Sequence, residues 1–349
     1  MGNIKGRSTV YNNITSEEKM KQVNPENIEL ENDYIEYLES TDRADSTIKQ
    51  YIANLHVFWC WNLEFNNNKF FVDLTKREII RFQNHCINTW GWSPKRIRTV
   101  KSTLSSLSNY ISNILDMDFP NFRPIINKIE SPTNETVREK TVLNDEQTQT
   151  LLDNLVNKKE YMKAALFALA LYSGRRKSEL PRFKVSYFTE DNLICDGALY
   201  ATPEKVVTKG RGKRGKLLTL YTIAKPFQPY LDLWLKQRNE LGIESDWLFP
   251  KKEGNQWLDE PISTSTIDSW FQTFARMMDT PIYPHSLRHR WCTSLSEQGL
   301  PEKVIQKLSG WQDISLVSVY DDTEVEDTFA QYFGADGIKQ VEQKGLNDL

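Results

Sequence analysis

The sequence predicts a mainly α protein in two parts: an N-terminal four-helix bundle, then a C-terminal mixed α/β domain that is mostly helical with a small antiparallel sheet. Three observations predict it. Apolar residues recur at helical spacing in four segments between residues 25 and 115. A proline-punctuated stretch without a hydrophobic period follows from 116 to 142. From 143 onward helical patterns resume and are interrupted by short β-like segments. A chain of 349 residues suits two domains of about 100 to 200 residues each.

Residues 1–24 are polar and lack a period, so a flexible arm is expected there. Pro25 opens a helix with Leu30, Tyr34, Tyr37 and Leu38 on one face. Ser46 is expected to cap the next, which carries Ile48, Tyr51, Ile52, Leu55, Phe58 and Trp59. A capping box, Thr75 with Glu78, starts a third helix presenting Ile79, Phe82 and Cys86. Ser93 as N-cap and Pro94 at the first helical position start a fourth, striped by Ile97, Val100, Leu104, Leu107, Ile111 and Ile114. Trp59, Trp61, Trp90 and Trp92 are assigned to the core or to domain contacts.

Residues 116–142 hold Pro120, Pro124 and Pro132 and read as a linker. Leu143-Asn144 with Gln147 opens the second domain, 143–333, before a tail at 334–349. Its expected elements are an apolar helix at 164–172, strands near 187–201 and 217–221, helices near 227–241, 265–278 and 286–298, and a further helix opening at Pro301. The segment 210–216 satisfies GxxxxGK, but Leu217 stands where a nucleotide loop needs Ser or Thr and a strand follows where a helix is required, so a phosphate loop is excluded.

The formal net charge of −3 does not advertise a nucleic-acid binder, but its distribution is uneven. Lys95, Arg96, Arg98 and Lys101 cluster at the head of the fourth helix, and Lys209, Arg211, Lys213, Arg214 and Lys216 in a turn between strands. A solvated face is the ordinary reading of such runs. Cys60, Cys86, Cys195 and Cys292 form no CxxC pair, and no basic-then-apolar leader opens the chain, so a reduced, cytoplasmic protein is expected. No apolar stretch approaches the ~18 residues of a membrane helix.

The chemistry concentrates between His285 and Tyr320. His285, Arg288, His289 and Arg290 head one helix, and Gly310-Trp311 precedes Tyr320 by nine residues counted from the tryptophan. A phenol, with a pKa near about 10, needs cations to become a nucleophile. A second source of cations is Ser173 to Leu180, where Arg176 is followed by Glu179. Two arginine forks with a histidine between them suit one phosphodiester, which points to DNA strand transfer. His285 and His289 lack a third ligand at metal spacing, so no metal is expected.

At these residues the chain resembles the tyrosine recombinases, the integrase family of phages, transposons and chromosome-dimer resolution systems. A G-x-R-x-S-E-L box stands at Gly174 to Leu180, an H-x-L-R-H box at His285 to His289, and Gly310-Trp311 with Tyr320 fits the third. The resemblance covers roughly residues 28 to 333. It implies that the bundle at 25–115 is a core-binding, SAM-like DNA-binding domain and that residues 143–333 form the catalytic domain. It also implies Arg176, Lys209, His285, Arg288, Trp311 and Tyr320 as catalytic residues, with Glu179 and His289 in support. Lys209 fits the family's hairpin lysine in a turn about two residues longer than the commonest form, and Lys213 is its rival. Trp311 stands where histidine is commoner, a replacement found within the family.

The resemblance further implies a site-specific recombinase that works through a 3′-phosphotyrosine intermediate, without metal or nucleotide cofactor, in integration or excision of a mobile element. Double-stranded DNA with paired core sites would be bound as a dimer on one duplex and a homo-tetramer on two, in a prokaryotic or phage nucleoid setting, with a DNA-bending or directionality protein as a further class of partner. Lys95, Arg96, Arg98, Lys101, Arg211, Lys213 and Arg214 are its candidate DNA contacts. Residues 323–333 could cap their own domain, but the resemblance implies that they dock on a neighbouring protomer, which is the reading expected here. The same chemistry also serves type IB topoisomerase-like or telomere-resolving strand transferases, and a catalytically silent DNA-binding regulator is the non-enzymatic alternative.

Overall fold

A computed structural model describes residues 14–133, 143–210 and 215–321, and the backbone alone at 333–334 and 337–338. Two compact units divide between residues 139 and 140.

The first unit contains α1 (Glu17–Met20), α2 (Pro25–Ser40), α3 (Asp45–Phe65), α4 (Lys76–Asn88) and α5 (Pro94–Ile114). Local chemistry sets most of their starts. The Asn24 side chain accepts from the Glu26 amide at 2.9 Å with Pro25 at the first helical position. The Glu78 carboxylate accepts from the Thr75 amide at 2.8 Å. The Ser93 hydroxyl accepts from the Arg96 amide at 3.4 Å, again ahead of a proline. The start of α3 differs from the expectation. Ala44 is its N-cap and makes no side-chain bond, so Ser46 lies inside the first turn, where Asp45 complements the helix dipole.

Tyr34, Phe58, Trp59, Phe82 and Leu104 are fully buried between these helices. Trp90 and Trp92 pack on the same core, partly buried. Ile114 closes α5 and is exposed, so the apolar stripe ends at Ile111.

The described parts of two segments expected to be loose are held, residues 1–13 lying outside the described residues. Residues 14–24 dock on α3: Lys19 pairs with Glu64 at 2.7 Å, and Ile14 and Met20 pack with Cys60. The first part of the expected linker folds onto α5 through a single helical turn, Ile126–Lys128, that buries Ile126. The Lys101 ammonium donates to the carbonyls of Ile129 (2.8 Å) and Glu130 (3.2 Å) and to Gln83 Oε1 (2.9 Å), and the Arg98 guanidinium donates to the Pro132 carbonyl at 2.8 Å. Residues 134–142 lie outside the described residues.

The second unit begins with α6 (Asp145–Asn157), capped reciprocally by Asn144 and Gln147 (2.8 and 3.0 Å), and α7 (Tyr161–Ser173). Every residue of α7 from Ala164 to Leu171 is buried, which makes it the axis of the domain. The short strands β1 (Leu193–Ile194), β2 (Leu199–Ala201), β3 (Val206–Thr208), β4 (Lys216–Leu218) and β5 (Tyr221–Ile223) follow. β1, β2 and β5 form an antiparallel sheet with Tyr200 opposite Thr222, and β3 and β4 form a separate hairpin with Val207 opposite Leu217. Tyr187, expected in a strand, lies in a helical turn instead.

Helix α8 (Ala224–Glu240) leads to β6 (Pro250–Glu253) and β7 (Gln256–Pro261), then to α9 (Thr264–Met278), α10 (Pro284–Glu297), α11 (Glu302–Ser309) and α12 (Ser315–Tyr320). α7 packs against α6, α8 and α10. The β6–β7 hairpin was not anticipated, because its exposed positions are polar and its few apolar residues leave no alternation to read. Of residues 323–333, expected to cap the domain or dock on a neighbour, only the backbone of Phe333 falls within the description. It belongs to β8 (Phe333–Gly334), paired antiparallel with β9 (Gly337–Ile338).

Candidate active site

Three chain turns converge beside the end of α7. The first is set by Gly174, which closes the helix in the left-handed region at φ 57°. A Cβ there would lie 2.3 Å from the Trp291 ring, so both conformation and space require glycine. Beyond this turn Arg175 is buried and Arg176 half-buried. The Glu179 carboxylate, 1% exposed, fixes Arg176 at two points: it accepts from the Arg176 amide and from its Nη1, each at 3.1 Å. One guanidinium edge is thus oriented by an anion, leaving the other for a ligand.

The second turn starts α10. Pro284 occupies its first position, and the spacing of His285, Arg288 and His289 places all three on one helix face. Arg288 is 0% exposed. Its Nη1 donates to the Gly174 carbonyl at 2.6 Å, tying the helix to the first turn. Its Nε and Nη2 meet no acceptor among the described residues. Burial, and then the charges of Arg175 and Arg176, pull its pKa down to about 9, which still leaves it cationic at neutral pH. A buried cation with two open donors is costly on its own and suits an anion held in one orientation.

The third turn is Gly310, at φ 70°, which closes α11; a Cβ there would lie 2.4 Å from Leu218 of β4. Trp311 follows, buried, with an indole N–H that also lacks an acceptor among the described residues. Tyr320 ends α12 inside a ring cluster: 4.7 Å from Trp311 at 25°, 4.7 Å from His289 at 35°, and 5.2 Å from His285 at 70°. The Arg288 guanidinium carbon lies 4.8 Å from the Trp311 ring and 5.3 Å from the Tyr320 ring. Polar contacts hold α12 along α10. Thr293 Oγ1 donates to the Tyr320 carbonyl at 3.5 Å, Cys292 Sγ lies 3.8 Å from the Val317 carbonyl, and Ser296 bonds to Asp321.

Lys209 is exposed at the end of β3. That strand is held by Arg182, which donates to the Val207 carbonyl at 2.7 Å, and the paired β4 leans on Gly310, so the hairpin base lies against the turn that carries Trp311. Arg211, Lys213 and Arg214 lie outside the described residues, and the choice between Lys209 and Lys213 stays open. Two residues of this site had no assigned role: Arg175, buried beside Arg176, and Trp291, whose ring fills the space over Gly174. A hint for the first was an arginine directly after a helix-closing glycine.

The basic helix separates into two kinds of residue. Lys95 is exposed. Arg96 donates to Asn54 Oδ1 at 2.6 Å and lies 4.9 Å over the Trp92 ring, and burial lowers its pKa. Arg98 is exposed but engaged with Pro132, and Lys101 is only 5% exposed with its donors directed at protein oxygens. Lys101 therefore does not present a charge to DNA in this conformation; burial, followed by the charge of Arg98, lowers its pKa.

Residues 141–326 match the Phage integrase family, and residues 30–119 match the Phage integrase N-terminal SAM-like domain. The chain belongs to the phage integrase family of tyrosine recombinases. It is a site-specific recombinase, an enzyme that cleaves and rejoins DNA. The recombinase is 29% identical over 309 residues to the SPbeta prophage-derived recombinase-like protein YomM of Bacillus subtilis, a match covering 85% of this chain and 89% of that one. Tyrosine recombinase XerA of Pyrococcus furiosus is 26% identical over 293 residues, covering 84% of this chain and 88% of the relative. In fold the recombinase is similar to a lambda integrase (75–356) dimer bound to a COC′ core site, with a TM-score of 0.61 at 16% identity, covering 85% and 98% of the two chains. Among the described residues no helix is long and apolar enough to cross a membrane.

Proposed function

We propose that Tyr320 is the nucleophile of this recombinase and attacks a phosphorus of duplex DNA. A phosphotyrosine bond to the 3′ end forms as the bond to the 5′ oxygen breaks, and a second 5′ hydroxyl reverses the step with exchanged partners. The observation that carries this reading is the convergence on the Tyr320 ring of Arg288, with two open guanidinium nitrogens, and Trp311, with an open indole N–H. Arg176 and Arg288 hold the non-bridging oxygens as charge builds on them. Trp311 donates one bond and cannot shuttle a proton. His285 takes up the phenol proton or donates to the phosphate, and Lys209, or Lys213 in its place, protonates the departing 5′ oxygen. Glu179 orients Arg176, and His289 supports the tyrosine ring.

On this reading Lys95 and Arg98 supply phosphate contacts from α5, while Lys101 holds the segment after that helix. Arg211, Lys213 and Arg214 meet the backbone near the hairpin. The substrate is a pair of core sites, each duplex holding two protomers and the exchange complex four. A role in moving a phage or transposon is favoured by the prophage origin of one relative.

The test is a pool of randomised duplexes carrying a nick, incubated in EDTA with wild type and with Tyr320→Phe, followed by denaturing recovery of covalent adducts and sequencing. A nick lets the short cleaved fragment escape and traps the intermediate. Adducts from wild type alone are expected. Adducts that survive Tyr320→Phe would mean another nucleophile, and DNA binding without adducts in either protein would favour the silent regulator.

A further inference from the structure

We propose that Arg175 is a positioning residue: it joins the turn that presents Arg176 to the turn that presents Trp311, so that the phosphate-gripping arginine and the face against which Tyr320 stacks are held as one body. The proposal deepens the function given above and rests on Trp311 and Tyr320 having the roles assigned there.

Arg175 is 1% exposed, yet among the described residues no carboxylate hydrogen-bonds to it. Its Nε donates to the Ser173 carbonyl at 3.0 Å, and its Nη2 donates to the Leu308 carbonyl. Both acceptors lie at helix C-termini, Ser173 as the last residue of α7 and Leu308 in the last turn of α11. These are the places where a helix leaves carbonyls unbonded and carries the negative end of its dipole. One planar guanidinium can bond both at once, which a lysine ammonium on a freely rotating stem does poorly. The two helix ends it bridges are followed directly by the two glycine turns of the site, Gly174 and Gly310.

The location also has an electrostatic cost. Burial is the largest influence on Arg175 and brings its pKa down to about 10, while its charge in turn helps depress Arg288. A neutral polar residue would avoid that repulsion. The nearby Glu179 carboxylate offsets part of that cost, and the cation spanning two helix ends is placed where burial and the neighbouring arginines oppose its charge while its geometry is useful. It adds positive potential beside the phosphate position while setting the distance between the two turns.

The experiment compares wild type, Arg175→Lys and Arg175→Met, each carrying 3-fluorotyrosine at position 320. Two readouts are taken from the full-length chain: the fluorine resonance without DNA, which reports the stack on Trp311, and the single-turnover rate of adduct formation on a nicked duplex at saturating concentration. Arg175→Met is expected to shift or broaden the resonance and to slow adduct formation by about tenfold or more, with the dissociation constant for DNA within about twofold of wild type. Arg175→Lys is expected to fall between the two. A resonance that stays in place, or a rate within about twofold of wild type, overturns the proposal. Should Arg175→Met fail to fold, Arg175→Lys decides by the same criteria. If wild type forms no adduct, the catalytic reading given above fails, and the fluorine comparison alone then judges whether Arg175 positions the ring.

Discussion

The rings of Trp311 and Tyr320 stack with 4.7 Å between centroids and 25° between planes, although Trp311 lies in the turn that follows α11 and Tyr320 ends α12. The stack is what places the phenol over Arg288, and it separates two contributions of the indole. Trp311→Phe keeps an aromatic face and removes only the N–H. It should slow single-turnover adduct formation by about 10- to 100-fold with little change in DNA affinity. Trp311→Ala removes the face as well and should also cost about 3 kcal/mol in urea denaturation. A Trp311→Phe enzyme as fast as wild type would show that the indole only packs.

Arg288 should trade stability against activity. It is fully buried with two guanidinium nitrogens that no described residue accepts from. Arg288→Met is predicted to abolish adduct formation while leaving unfolding free energy unchanged or raised by up to about 3 kcal/mol, because replacing a poorly compensated buried charge by an apolar side chain is often neutral or stabilising. Chemical denaturation beside the adduct assay checks both halves; a large loss of stability would refute the second.

The pH dependence has a definite sign. Arg288 has its folded pKa lowered to about 9 from an ordinary 12.5, so between those values the unfolded chain binds more protons than the folded one. Its destabilising contribution is full below about pH 9 and fades as pH rises through that value. On the role proposed for Arg288, activity should move the opposite way, since only the cation would grip phosphate. The second-order rate of adduct formation is expected to fall above about pH 9, and the limb should lie higher at saturating DNA, where bound phosphate favours the charged form. A rate that climbs steadily through this range would indicate that phenol ionisation, not Arg288, governs it.

The basic helix offers a test by salt. Lys95→Met should reduce the slope of log affinity against log salt by about one, as expected for one lost phosphate contact. Lys101→Met should leave that slope unaltered and destabilise the first unit by about 2 kcal/mol, because the carbonyls of Ile129 and Glu130 lose their donor. If the two variants changed the salt slope equally, Lys101 would have to turn outward on DNA.

Much of the site was legible because its residues sit at short, fixed spacings. His285, Arg288 and His289 share a face by helix geometry alone, and Glu179 reaches Arg176 across three residues. Proline and capping residues marked most helix starts, but Ser46 did not cap α3, since a serine beside Asp45 competes with other starts only a residue away. The docking of residues 126–132 on α5 was not legible, because Lys101 and Arg98 bond to backbone carbonyls, which every residue carries and no side chain announces. Arg175 was hidden for a related reason. Which of two adjacent arginines is buried depends on the left-handed turn at Gly174 and on a carbonyl 133 residues away.

The open donors of Arg288 also bear on how such a gene decays. If Arg288 has the role proposed for it, then once strand exchange no longer benefits its host the demand for a phosphate grip disappears, while the cost of the buried cation remains in every folded copy. Substitutions at 288 would then be tolerated or favoured before those at Gly174 or Gly310, where added atoms meet the Trp291 and Leu218 side chains at 2.3 and 2.4 Å. An inert descendant would thus be recognised by an apolar residue in place of the arginine, with both glycines still standing.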